Sequence, residues 1–157
     1  MEAKVYLETT FVSYLTARPS RDVVIAGHQQ TTHEWWQTCR GRFDLVASQL
    51  VVQEVGAGDP QAAQERLNVL ATLTLLEVTE EAMALAQELL ATRAVPEKAA
   101  EDALHIAIAV TNGVEYLLTW NCKHLANATI RAKSEEVCRS AGYEPVIICT
   151  PEELLEV

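Results

Sequence analysis

Apolar positions along the chain follow two alternating rhythms. Short runs of branched and aromatic residues predict buried strands at Lys4–Leu7, Asp44–Ala47, Leu73–Glu77, Tyr116–Thr119 and Val146–Cys149. Helical spacing fills the segments between them. Gln61–Ala71 places Ala63, Leu67 and Leu70 on one face, and Glu80–Ala91 does the same with Ala82, Leu85, Ala86 and Leu89. Thr10 opens an apolar helical run, and Ser48 caps a short helix whose buried side is Leu50, Val51 and Val55. Asp59-Pro60 starts the Gln61–Ala71 helix, with proline at the first helical position. Pro96 separates Glu80–Ala91 from Ala99–Asn112, which Gly113 ends; Gly142 and Pro145 end a Ser134–Ala141 helix. A Val23–Arg40 helix gathers Ile25, Gln29, Thr32, Trp36 and Cys39 on one face. That reading makes Trp36 a core ring and directs Trp35 elsewhere, under a loop or into an interface, where aromatics are enriched.

Strands alternating with helices predict an α/β fold: a three-layer sandwich around a mostly parallel five-stranded sheet. No repeat, low-complexity tract or linker interrupts the 157 residues, so one domain spanning 1–157 is expected. In such folds ligands gather beyond the carboxyl ends of the strands, where strand order reverses. Glu8 stands at that end of the first strand. A carboxylate there is costly unless a cation, a donor or water meets it.

Three further polar residues occupy comparable places. In "AAEDALHIAIAVTN", Ala103, Ile106, Ala107 and Val110 form a stripe that Ile108 and Ala109 extend nearly round the helix, marking it as central. Asp102 lies in its first turns and shares a face with His105; it serves equally as a helix-end decoration, which the macrodipole favours. Glu101 points about 100° away and is read as the solvated neighbour. Glu54, in "SQLVVQEVGAGDP", falls close to the buried side of its short helix, although such a residue also fits a solvated face. Asn121, in "EYLLTWNCKHLANA", comes directly after the fourth strand, and also fits a turn initiating a Lys123–Asn127 helix.

Charge narrows the functional classes. Twelve basic against 22 acidic residues give a net charge of −10, which argues against broad electrostatic attachment to nucleic acid. Clustered carboxylates instead suit a hard divalent cation, and an acidic surface suits a basic protein partner. Cys39, Cys122, Cys138 and Cys149 are scattered without a C-x-x-C pair, as expected of reduced thiols. No apolar run has the length of a membrane span, and no secretory segment precedes the first strand, so a cytoplasmic protein is expected.

Four quoted segments carry a family resemblance: "VYLETTFVSYL", "SQLVVQEV", "EDALHIAIA" and "LLTWNCKHL". With them the chain resembles, over essentially its whole length, the PIN-domain nucleases, in particular the VapC-type toxins of toxin–antitoxin pairs. The resemblance implies sheet order 3-2-1-4-5, which makes the first and fourth strands neighbours. Carried over by position, it implies a site of Glu8, Glu54, Asp102 and Asn121 holding Mg²⁺ or Mn²⁺. It further implies cleavage of RNA, a homodimer, and a small antitoxin that blocks the acidic cleft. Two positions depart from the pattern: Glu8 stands where the family usually has Asp, and Asn121 where the family's Thr-x-Asp has its acid.

On this reading Glu8 and Asp102 are direct ligands, with Glu54 and Asn121 acting through water or a second metal. Thr9, Thr10 and Thr119 are candidate hydrogen-bonders to that shell. His105 is either a substrate contact or a structural residue, and His124 with Lys123 either touch phosphate or lie on a solvated helix end. Two other classes compete. A catalytically attenuated PIN-like binding or regulatory module draws on the acid lost at Asn121. A receiver-like phosphoacceptor needs its acceptor Asp on a central strand, whereas Asp102 is predicted on a helix.

Overall fold

The structure, a computed structural model, describes residues 2–155. Strands β1 (Lys4–Leu7), β2 (Asp44–Ser48), β3 (Thr74–Leu76), β4 (Tyr116–Leu118) and β5 (Ile147–Cys149) form one sheet in the order β3-β2-β1-β4-β5. Every pairing is parallel; Tyr6 on β1 aligns with Val46 on β2 and with Leu117 on β4. Parallel pairing requires crossovers, and seven helices supply them: α1 (Thr9–Thr16), α2 (Val23–Cys39), α3 (Gln49–Val55), α4 (Pro60–Leu70), α5 (Glu80–Ala91), α6 (Ala100–Thr111) and α7 (Ala128–Ser140).

The chain steps outward from β1 through β2 to β3, then returns past β1 to β4 and β5. With right-handed crossovers, connections on the outward and return legs cover opposite faces of the sheet. Accordingly α1 packs on α2, α3 and α4, whereas α5 packs on α6 and α7. The central strand is therefore buried on both faces: Val5, Tyr6 and Leu7 have no exposed surface. Helix α6 is buried nearly all round, through Ala103, His105, Ile106, Ala107, Ile108, Ala109 and Val110. The alanines let this helix lie close to its neighbours.

Short polar side chains close the helix starts. Asp22 accepts from the Ile25 amide at 3.0 Å, Asp59 from Ala62 at 2.9 Å, Thr79 from Ala82 at 3.1 Å and Ser48 from Val51 at 3.3 Å. Each such cap contributes about 1 kcal/mol. Gly113 and Gly142, at φ 68° and 90°, end α6 and α7 in the left-handed conformation.

The structure corrects three local readings. Residues 123–127 form a turn: the Asn121 carbonyl accepts from Leu125 and Ala126 at 3.1 and 2.9 Å. Helix α7 starts at Ala128, six residues before Ser134, because the Asn127 side chain caps the Thr129 and Ile130 amides at 3.0 and 3.3 Å. In α2 the buried ring is Trp35, edge-on to Phe11 at 5.5 Å and stacked on Phe43 at 5.8 Å. Trp36 is half-buried beneath the Arg40 guanidinium, which lies 4.8 Å from its ring. Thr32, Trp35 and Cys39 fit one helical face as well as Thr32, Trp36 and Cys39 do, so spacing alone did not separate them. All four cysteines are free thiols, as expected, and only Cys122 is exposed.

Trp35→Ala is expected to cost about 3–5 kcal/mol in urea denaturation, the range for emptying a buried aromatic site. Trp36→Ala should cost much less, because that ring is partly solvated; the reverse order would restore the assignment made from spacing.

Candidate functional site

Glu8 follows β1, and Thr119, Trp120 and Asn121 follow β4, so the two neighbouring strands deliver them side by side. The ladder runs one residue past the strand, from the Glu8 amide to the Leu118 carbonyl at 3.1 Å. This is where the chain's direction across the sheet reverses, the crevice at which parallel sheets bind ligands.

Glu8 is only 3 % exposed. Its Oε1 accepts two hydroxyls, Thr10 Oγ1 and Thr119 Oγ1, each at 2.6 Å. Each threonine in turn accepts a backbone N–H: Thr10 from Trp120 at 2.8 Å, Thr119 from Asn121 at 2.9 Å. A hydroxyl has one proton, and the amides fix the direction in which it is spent. Both hydroxyls therefore point at the carboxylate, and charge-assisted bonds of this kind offset the cost of its burial.

Glu54 extends from α3 toward the same place. Its Oε1 accepts from Thr9 Oγ1 and faces His105 Nε2 at 2.7 Å. His105, on α6, has no exposed surface, and its Nδ1 meets Tyr6 Oη at 2.7 Å; that phenol also meets Ser48 Oγ at 2.7 Å. Burial alone would raise the Glu54 carboxyl, but the bonds to His105 and Thr9 outweigh it and hold Glu54 down at about 2. Burial alone would lower the imidazole, yet the Glu54 bond and the charges of Glu8, Glu54 and Asp102 raise it. Glu54 and His105 thus form an ion pair whose histidine lies wholly inside the fold. Glu101 is exposed, as expected, but its carboxyl is raised by sharing a hydrogen bond with Glu54 and by the charge of that neighbour.

Asp102 approaches from α6 on the Asn121 side. Burial, then the nearby charge of Glu8, raises its carboxyl. The Asn121 amide donates from Nδ2 to Asp102 Oδ1 at 3.2 Å, and His124 Nδ1 stands 3.6 Å from Oδ2. Asn121 Oδ1 accepts the His124 amide at 3.0 Å, and a backbone N–H can only donate. The amide end of Asn121 must therefore face the carboxylate. Asn121 holds Asp102 by donation, where an Asp would repel it.

Of the four sequence-derived residues, Glu8 and Glu54 lie together beside His105, while Asp102 pairs with Asn121, whose backbone amide bonds the Thr119 hydroxyl that serves Glu8. An oxygen of Glu8, an oxygen of Glu54 and a nitrogen of His105 lie within 4.8 Å of one another, the histidine spending both its ring nitrogens on Glu54 and Tyr6. Two carboxylates in such proximity suit a divalent cation; Asp102, whose carboxyl feels the charge of Glu8, stands outside that group. Sequence reasoning left His105 undecided, missed Tyr6 as part of the site and read Ser48 only as a helix cap. The signal for Tyr6 and His105 is polar character inside otherwise apolar segments, "VYL" and "DALHIAIA".

No family model matches the chain, and no curated protein matches it by sequence. Solved structures do. VapBC2 from Rickettsia felis, bound to a promoter DNA fragment, matches at TM-score 0.60 and 14% identity over 94% of this chain and 98% of its own. VapC20 from Mycobacterium tuberculosis, described as a sarcin–ricin loop cleaving toxin, matches at 0.60 and 17% over 76% and 91%. A toxin–antitoxin complex from Klebsiella pneumoniae matches at 0.57 and 17% over 98% and 99%. At such identities the likeness establishes the fold: this chain has the architecture of the VapC toxins.

The ion pair predicts a pH dependence in metal-free protein. A histidine raised on folding contributes stability fully below about pH 6.5, and loses it as pH rises through its folded value. The raised carboxyls of Asp102 and Glu101 act in the same direction at lower pH. Unfolding free energy should therefore fall between pH 5.5 and 8.5, measured by urea denaturation in EDTA. In His105→Gln the slope across that interval should flatten; an unchanged slope would show that His105 does not carry the proton.

Proposed function

We propose that this chain is a divalent-metal-dependent endoribonuclease, the toxin of a toxin–antitoxin pair, acting in the cytoplasm as a single-domain homodimer. The observation that carries the reading is the meeting of Glu8, Glu54, Asp102 and Asn121 at the β1–β4 crevice of a VapC-like fold. A toxin–antitoxin complex among the structural neighbours supports a small antitoxin as partner. The description of VapC20 as a toxin that cleaves the sarcin–ricin loop supports RNA as substrate. Among the described residues no helix is long and apolar enough to cross a membrane.

Mg²⁺ or Mn²⁺ would supply an activated water and offset charge on the phosphodiester. Glu8 and Asp102 are the residues that would hold it. Thr10 and Thr119 aim Glu8, and Asn121 aims Asp102. Glu54, held ionised by its bond to His105, would add negative charge beside the ion. Exclusion of bulk water from Glu8 strengthens each of these interactions. His124, beside Asp102, is placed to donate to a phosphate oxygen.

The attenuated binding module rests on a different observation, the neutral Asn121 beside Asp102. Substitution separates the two readings. Asp102→Ala should abolish metal-dependent cleavage of RNA while leaving the fold intact. Asn121→Asp sets a second carboxylate against Asp102. It should lower the melting temperature in EDTA, enlarge the stabilisation by Mn²⁺ and raise cleavage. Equal inertness of the parent and Asn121→Asp, with tight binding of a partner protein by both, would favour the module.

Metal binding itself is measurable without turnover. A ligand at a hundredfold excess over its Kd stabilises the folded state by about 2.7 kcal/mol. Thermal melts in Mg²⁺ or Mn²⁺ against EDTA should show that gain in the parent and a smaller one in Asp102→Asn. Identical shifts would place the ion elsewhere.

A further inference from the structure

Beside the acidic cluster lies a group of rings that the metal chemistry does not use. Trp120 immediately precedes Asn121, and its ring is buried. His28 stacks on it with centroids 4.1 Å apart and planes 10° apart. Tyr14 lies 6.2 Å from Trp120 and 6.4 Å from His28, with planes 19° and 22° away. The two spacings are nearly equal, so Tyr14 sits alongside the His28–Trp120 stack. Both Tyr14 and His28 are half-buried, leaving part of each to solvent.

The assembly is held as part of the site. Trp120 Nε1 donates to Thr32 Oγ1 at 2.7 Å, tying the ring to α2. Its backbone amide donates to Thr10, the same hydroxyl that aims Glu8. Rings and carboxylate are therefore joined through one residue, Thr10.

We propose that Tyr14 and His28, backed by Trp120, form a stacking platform for an unpaired nucleobase of the RNA whose phosphodiester lies at Glu8 and Asp102. The inference rests on the ribonuclease reading and specifies its substrate as single-stranded or flipped-out at the cut. Charge makes stacking necessary: at −10 the protein gains little from counterion release, so affinity must come from contacts that do not depend on phosphate. Stacking on aromatic rings is such a contact, and it tolerates any base, because each base has a flat face. Roughly parallel planes at the edge of the catalytic crevice are what that mode requires.

The test measures anisotropy of a short fluorescein-labelled single-stranded oligoribonucleotide, with Ca²⁺ replacing Mg²⁺ to hold it uncut. Tyr14→Ala and His28→Ala should each weaken binding roughly tenfold, the scale of one base–aromatic stack. Tyr14→Phe should retain affinity. The same oligonucleotide made abasic at successive positions should, at one position, bind the parent as weakly as the variants. There it should become insensitive to both alanine changes. In cleavage assays the alanine variants should raise KM more than they lower kcat, with melting temperatures near the parent's. Wild-type affinity in both alanine variants, in a parent that cleaves RNA, overturns the platform and leaves the nuclease standing. Equal weakening toward every abasic oligonucleotide also overturns it, as does loss of a protein partner without loss of RNA. A parent that neither binds nor cleaves RNA overturns the platform together with the nuclease.

Discussion

Burial of the Glu8 carboxylate at the end of the central strand is the constraint on which the site depends. The Glu8 backbone is fixed at the end of the ladder, because its own amide continues the β1–β4 pairing. The charge is met by two hydroxyls whose protons are directed by backbone amides of the β4 loop. Charge-assisted bonds of this kind are short and roughly twice as strong as neutral ones. They also make one object of the first turn of α1 and the loop after β4. The positions of Asn121 and the Trp120 ring both follow from that lock.

A second buried arrangement secures the other side. His105 lies inside the most enclosed helix, yet carries a raised affinity for its proton because Glu54 and the neighbouring acids face it. Paired charges of this kind are weak evidence for net stability, since desolvation offsets most of their attraction. Their value here is positional. Tyr6 and Ser48 from the sheet, His105 from α6 and Glu54 from α3 form one hydrogen-bonded series across the sheet's carboxyl edge. The same edge thus holds three carboxylates in fixed relation before any ion arrives, which is the preorganisation that metal-assisted chemistry needs.

Substitutions relative to the family pattern acquire reasons in this setting. Glutamate at position 8 has the reach to meet hydroxyls on both α1 and the β4 loop. Asparagine at 121 answers Asp102 with a donor, easing the repulsion among carboxylates that share one crevice. That easing comes at the expense of charge available to a cation.

Hydrophobic patterning alone determined the element order, the α/β class and the enclosed character of α6, since alternation and helical spacing are local properties of the chain. Glu8, Glu54, Asp102 and Asn121 could be singled out because acids and amides at strand ends or on buried helix faces are costly, but each also fitted an ordinary cap, turn or solvated face, and only the family resemblance joined them in one site. Local chemistry did not decide between Trp35 and Trp36, whose helical positions differ by 100° and whose burial depends on where Phe11 and Phe43 lie. Nor did it show His105 as the partner of Glu54, residues 51 apart that meet only when α3 and α6 converge on β1. Which proton a threonine donates, which end of Asn121 faces Asp102, and which rings align beside them are pairwise geometries across the sheet. They exist only after the strands have paired.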